Sequence, residues 1–264
     1  MRRSPYQPGF MDCLVAHRRP MTRVRVNLIL FEPAEINAPL PHRDRRALHI
    51  VEVLRCRNGD TFEAGVINGP RGKATLAATT AEGLALTFSW GDLPPPPDPV
   101  TLIVGLPRPQ TARDILRDAT TLGAGALHFV RTEKAPASYA QSTLWSSGEW
   151  RRHVIAGAEQ AVATRLPDVT HGGTLAGAVA AVAGPGTRIA LDNYEAPQRL
   201  SDCPLVADVP LALAIGAERG WSAGERELLR KHGFTFAHLG TRVLRTETAA
   251  IAALAIVRAK LGLM

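Results

Sequence analysis

Two short stretches of the chain place glycine, arginine and glutamate directly behind apolar runs. They are Ile215-Gly-Ala-Glu-Arg-Gly-Trp-Ser222 and Leu239-Gly-Thr-Arg-Val-Leu-Arg-Thr-Glu-Thr-Ala249. Glycine at 216, 220 and 240 lets the backbone bend sharply or approach a ligand closely. Glu218, Arg242 and Arg245 set charge beside apolar strands, where a carboxylate can take a proton and a guanidinium can stabilise developing negative charge. Thr246-Glu247-Thr248 opens a helix, and the free amides of a helix N-terminus attract anionic groups. On spacing alone, an ordinary strand-to-helix loop and a capped helix with solvated arginines account for these stretches equally well.

Other chemistries find less support. No G-x-G-x-x-G follows an apolar run, and neither H-E-x-x-H nor G-x-S-x-G occurs. The eight histidines are scattered, and Cys13, Cys56 and Cys203 lack metal-ligand spacing, so no metal site is expected. Asn68-Gly-Pro-Arg-Gly-Lys-Ala-Thr75 is too short for a phosphate loop and reads as a hairpin turn.

The elements that must hold the two stretches form an alternating pattern. Val100–Leu106, Ala126–Arg131, Arg188–Leu191, Val209–Ile215 and Phe234–Leu239 are short, continuous apolar runs, with helical stretches between most of them. Continuous apolarity means that both faces of a strand are covered, which predicts an α/β domain with a parallel sheet. Ser222-Ala-Gly-Glu225 is a capping box, and Gly233 should stop the helix it starts. The last helix, about Glu247 to Leu261, is apolar on every side and is expected to be buried all round.

Upstream, Val24–Phe31, Ile50–Leu54, Thr61–Val66, Lys73–Thr79 and Leu84–Trp90 read as short strands of a small β-barrel. Between the two regions lie five prolines in six residues, Pro94 to Pro99, a stiff extended linker. The expected organisation is a disordered extension over 1–20, the barrel over 21–92, the linker over 93–99 and the α/β domain over 100–264.

A formal net charge of +7 suits a polyanionic partner. Residues 1–57 carry eleven arginines against five acids, whereas 74–99 carry three acids and no basic residue. No run reaches the ~20 apolar residues of a membrane span. With its odd, unclustered cysteines the chain is expected in the cytoplasm, without a membrane partner.

The two stretches together, I-G-x-E-x-G-[FW]-S and L-G-x-R-[VI]-L-R-x-E-T-A, strongly resemble the end of the bacterial RsmE family. These are SPOUT-superfamily methyltransferases acting on nitrogen 3 of a uridine in 16S ribosomal RNA of the small subunit. The resemblance covers most of the chain from Met21. His49 to Arg55 with Gly59-Asp60, and Glu159-Gln160 with Arg165 and Pro167, match further family elements.

The resemblance implies a PUA-like RNA-binding barrel followed by a SPOUT domain with a deep trefoil knot, an exception to the no-knot rule. It also implies a homodimer through the knotted domain, against which the last helix packs, and S-adenosyl-L-methionine as cofactor. Leu191, Gly216, Gly220, Leu239, Gly240, Leu244 and Thr248 would then bind the cofactor. Arg245, Arg242 and Glu218 become the catalytic candidates, and Arg23, Arg25, His49, Arg55 and Arg165 the candidates for RNA contact. The sequence departs from the family pattern at Thr121, Ala161, Ala217 and Arg219. Two alternatives remain: a SPOUT enzyme acting on another base or on a ribose hydroxyl, and a non-catalytic RNA-binding or ribosome-assembly factor.

Overall fold

The structure, a computed structural model, describes residues 28–207 and 209–264. The expected extension over 1–20, the start of the Val24–Phe31 strand, and both Arg23 and Arg25 lie outside the described residues.

A first, four-stranded sheet has the order β1-β2-β3-β4, with β1 Ile29–Phe31, β2 Thr61–Val66, β3 Arg71–Thr79 and β4 Leu84–Trp90. Strand β1 runs parallel to β2, and the other pairs are antiparallel. Alternation sets the buried face of β2: Phe62, Ala64 and Val66 go inward. The turn between β2 and β3 pivots on Asn68, whose φ is +57°.

Ile50–Leu54 is not a strand. Helix α1, Arg45–Leu48, runs on into a π-helical turn, His49–Val53. The reason lies upstream. Asp44 caps α1, its Oδ1 accepting from the Arg46 amide at 2.8 Å, and the Arg46 guanidinium binds Asp44 and Glu35 at 2.7 Å each. A helix nucleated there carries the β-branched residues with it. Ala47 and Ile50, three apart, take the buried positions, and Val51 and Val53 face solvent.

The second sheet has seven strands, all parallel, in the order β7-β6-β5-β10-β8-β11-β9. They are β5 Val100–Gly105, β6 Ala126–Arg131, β7 Asp168–Thr174, β8 Thr187–Leu191, β9 Gln198–Arg199, β10 Leu211–Ile215 and β11 Thr235–His238. Both faces are covered: Leu102 and Leu213 lie in one apolar layer, Ile103 and Ala214 in another. The helices are α2 Pro109–Thr121, α3 Thr143–Ser146, α4 Glu149–Gln160, α5 Leu175–Ala181, α6 Ala223–Lys231 and α7 Thr246–Lys260. The capping box at Ser222 forms, and Gly233 ends that region at φ +77°.

Helix α7 is not buried all round within one chain. Ala250, Ala253, Leu254 and Val257 are buried, while Ile251, Ala252, Ala255 and Ile256 are half-exposed. One chain offers a single wall, built mainly by α2, with the short turn Leu200–Asp202 and β10 beside it.

The two sheets are stitched together. The Asn68 amide donates to the Thr164 carbonyl at 2.8 Å, and Thr164 Oγ1 donates to the Gly69 carbonyl at 2.7 Å. Leu28, Leu30 and Ile67 join the large apolar core of the second sheet.

Candidate active site

Strand order decides where the site lies. Strand β10 is inserted between β5 and β8, and β11 between β8 and β9. The carboxyl ends of β8, β10 and β11 therefore open onto one edge, and at such a reversal of strand order open α/β sheets take their ligands. The loops after Leu191, Ile215 and Leu239 meet there and wall a cleft of about 160 Å³.

That cleft brings together Leu191, Gly216, Glu218, Gly220, Leu239, Arg242 and Leu244 of the residues singled out from sequence. A second cleft, of about 470 Å³, adjoins it and is lined by Arg108, Thr111, Arg245 and Glu247. The two share Glu218, Val243, Leu244 and Thr246.

Two expected residues are not in the walls. Thr248 is exposed on the first turn of α7, and Thr246 and Ala249 line the cleft instead. The helix begins one turn earlier than its apolar run, so the inward positions fall on 246 and 249. Gly240 turns the chain at φ +113° rather than forming a wall, its amide donating to His238 Nδ1 at 3.0 Å.

Gly216 is required by close approach. A Cβ there would stand 2.9 Å from the Gly220 Cα, so the loop folds back on itself with no room for a side chain. Gly105 is equally confined, since its Cβ would stand 2.5 Å from the Ala217 amide nitrogen.

Side chains outside the sequence-based site candidates lash these loops together. Trp221 is fully buried, and its indole N–H donates to the Leu191 carbonyl at 3.0 Å. Asp192 Oδ1 accepts from the amides of Tyr194 and Glu195 at 2.7 and 2.8 Å. Its Oδ2 accepts from Arg226 Nε at 2.8 Å, a pair whose side chains are only 2% and 11% exposed. Glu225 is buried, and besides closing the capping box it accepts from the Glu133 amide at 2.8 Å. Lys134 Nζ donates to the Trp221 carbonyl at 2.7 Å. The capping box pointed to Glu225, and the Asp192-Asn193 pair behind an apolar run was the signal available for the contacts of the β8 loop.

Glu218 is already engaged. Its Oε1 accepts from the Arg108 amide at 2.9 Å, holding the start of α2 against the β10 loop. The geometry makes it a positioning group.

The remaining candidates lie elsewhere. His49 is half-buried in a third cleft between α1 and α4. Arg55 is exposed at φ +57°, on the loop after the π-helical turn. Arg165 donates to the carbonyls of Pro94 and Pro95, both at 3.4 Å. Glu159 Oε1 accepts from the Leu30 amide at 3.2 Å, and burial pushes its carboxyl above the usual range.

A parallel sheet whose reversal point carries adjoining clefts, both lined by arginine, is the framework of a nucleotide-handling α/β enzyme domain. A family model described as an RNA methyltransferase domain matches residues 94–258. The chain is 38% identical to ribosomal RNA small subunit methyltransferase E of Treponema pallidum, over 89% of this chain and 91% of that one. It is 31% identical to the protein of the same name in Synechocystis, over 96% of this chain and 84% of that one. Among solved structures, a ribosomal RNA small subunit methyltransferase E from Neisseria gonorrhoeae, bound to S-adenosyl methionine, has the same fold. Its TM-score is 0.73 at 24% identity, over 87% of this chain and 96% of that one. A putative methyltransferase from Legionella pneumophila in complex with the same cofactor gives 0.74 at 22% identity, covering 89% and 98%.

Residues 94–258 are thus an RNA methyltransferase domain. The chain belongs to the ribosomal RNA small subunit methyltransferase E family.

Proposed function

We propose that the chain methylates nitrogen 3 of a uridine in 16S ribosomal RNA, with S-adenosyl-L-methionine as donor. The observation that carries the reading is the pair of adjoining clefts that share Glu218, Val243, Leu244 and Thr246. The first is walled by the glycine loops and apolar side chains a donor would lie against, and the larger second is open to a flipped-out base, so the two reactants would meet at a common wall.

The residues fit the donor. The backbone cradle admits no Cβ at Gly216 and turns through φ +63° at Gly220, and Leu191, Ile215, Leu239 and Leu244 offer apolar flanks for an adenine ring. When bound, S-adenosylmethionine supplies a methyl group on a sulfonium, already a good leaving group. The rest falls to this chain's own side chains. Arg245, at the lip of the second cleft, and Arg242, in the first, stabilise negative charge on the uridine carbonyls once N3 has lost its proton. Glu218 positions Arg108 at the mouth of the base cleft. Among the described residues Glu247 is the carboxylate of that rim with no hydrogen-bond partner, which leaves it able to face the N3 proton.

The four-stranded sheet supports a PUA-like barrel that grips RNA, and the meeting of three loops around α7 supports a trefoil knot. Residues 21–92 and 100–264 would be the two domains and 93–99 the linker. The half-exposed Ile251, Ala252, Ala255 and Ile256 of α7 suit a second copy, which would complete a homodimer and bury the helix. The basic composition suits rRNA, and no helix of the described residues is long and apolar enough to cross a membrane.

The test is 3-methyluridine in 16S RNA after deletion of the gene. It should disappear, return with the wild-type chain, and stay absent with Arg245→Ala. Retention of the modification in the deletion strain would refute the assignment. Calorimetry separates the non-catalytic alternative, for which no S-adenosylmethionine would bind at millimolar concentration.

A further inference from the structure

A third cleft, of about 320 Å³, lies at the seam of the two sheets, far from the methyl-transfer edge. It is walled by Leu28 and Ile29, by Arg45, Arg46 and His49 of the α1 turn, and by Ala156, Glu159 and Gln160 of α4. Helices α2 and α4 run side by side in the same direction. Arg113 meets Glu149 near their first turns, and Thr121 Oγ1 donates to the Gly157 carbonyl near their ends. The start of α2 borders the base cleft, so Glu159 stands about one helix length away, ~18 Å for twelve residues.

The chemistry of this cleft is unevenly used. Arg46 is consumed: it binds Glu35, Asp44 and the Leu30 carbonyl, and its guanidinium lies 5.2 Å over the Phe31 ring. Arg45 is exposed and has no ion-pair partner among the described residues. Glu159 has the Leu30 amide as its one hydrogen-bond partner among them, and Gln160 is exposed at the rim. A cation, an imidazole, a carboxyl and a carboxamide thus surround a space with an apolar floor of Leu28, Ile29 and Ala156.

We infer that this cleft is a subsite for an unpaired guanosine of the RNA substrate, its phosphate on Arg45 and its Watson–Crick edge on Glu159 and Gln160. The inference rests on the RNA-methylating reading above and adds a contact remote from the reacting base. Guanine carries two adjacent donors, N1–H and N2–H, matching a carboxylate oxygen beside an amide oxygen. No other standard base presents two N–H donors on neighbouring positions of that edge. His49 offers a ring against which the base stacks, as unpaired RNA bases do on aromatic side chains. Donors arriving at Glu159 would stabilise its ionised form, offsetting the burial that raises its pKa.

The test measures equilibrium binding of 16S rRNA to the full chain, alongside methyl transfer by the wild type. Arg45→Ala, Gln160→Ala and Glu159→Gln should each weaken binding about tenfold or more, as loss of a base- or phosphate-reading contact does. Arg45→Ala should also make the salt dependence shallower by about one counterion. Affinity for S-adenosylmethionine should not change. Lys231→Ala, an exposed charge on α6, is the control. Guanosine 5′-monophosphate should displace the RNA at about tenfold lower concentration than uridine 5′-monophosphate.

RNA affinities within twofold of wild type for Arg45→Ala and Gln160→Ala would overturn the subsite while leaving the proposed function intact. Equal displacement by the two nucleotides would overturn the guanosine assignment. A loss confined to Glu159→Gln that tracks a fall in its thermal midpoint would make the cleft a structural seam only. A wild-type chain that binds rRNA but leaves uridine unmethylated would refute the proposed function, and the variants' affinities would still decide the cleft.

Discussion

Asp192→Ala removes the hub of the loop that follows β8. Asp192 accepts two backbone amides, those of Tyr194 and Glu195, and holds Arg226 Nε at 2.8 Å. Both members of the pair are nearly inaccessible, at 2% and 11% side-chain exposure, so water cannot replace the lost carboxylate. Removing one partner of such a pair costs about 3–5 kcal/mol, mostly the burden of the charge left behind. Against a domain stability of about 5–15 kcal/mol the variant should still fold at 25 °C. Its thermal midpoint should fall by about 6–20 °C, at roughly 2–4 °C per kcal/mol for a chain of this size. Arg226 also lies 3.4 Å from Glu195, a half-exposed carboxylate that offsets part of the loss and favours the lower end. The assay is urea unfolding of wild type, Asp192→Ala, Arg226→Ala and the double variant. The two substitutions should be strongly non-additive, with a coupling of about 1–3 kcal/mol. Because Asp192 lines the donor cleft, affinity for S-adenosylmethionine should drop in parallel. A loss below about 1 kcal/mol, or additive single variants, would refute the view that this pair holds the loop.

Gly216→Ala forces a Cβ to 2.9 Å from backbone that cannot step aside, so overpacking of about 1–3 kcal/mol should appear as weaker donor binding; calorimetry checks it. Trp221→Phe leaves the Leu191 carbonyl without its indole donor and should cost about 1–3 kcal/mol in urea unfolding. Desolvation holds the half-buried His128 below the ordinary imidazole pKa, and the contacts around His171 lower it in the same direction although its side chain is exposed on β7. The unfolded chain therefore binds their protons more readily, and stability present above about pH 6.5 is lost as the pH falls through the lower folded values. His171, stacked on Trp145 at 4.8 Å, should account for part of that slope. His171→Phe should flatten it in thermal melts between pH 7 and pH 5; an unchanged slope would count against the assignment.

Much of the framework was legible because it is local. Leu211-Ala-Leu-Ala-Ile215 is apolar on both faces, so it can only be a covered strand, and all five residues are buried. Ser222 with Glu225 spells a capping box within one turn, and Gly233 supplies the left-handed residue that ends it. The clustering of Gly216, Gly220 and Arg242 also followed from motif and strand position, because strand ends in a parallel sheet share one edge.

What only the folded structure decided depends on side-chain contacts that the apolar pattern does not carry, several of them between residues far apart in the chain. The Ile50–Leu54 run reads as a strand by composition, yet the Arg46 clamp to Asp44 and Glu35 draws it into a helical turn. Thr248 reads as a lining residue, but the face that α7 presents to the cleft carries Thr246 and Ala249 and leaves Thr248 exposed. Asp192 finds Arg226 34 positions away, Glu218 finds the Arg108 amide across 110, and Glu159 finds that of Leu30 across 129. Local sequence sets which backbone shapes are cheap. Which buried charge meets which donor is chosen only when the strands are ordered, because burial makes an unpaired charge too costly to leave alone.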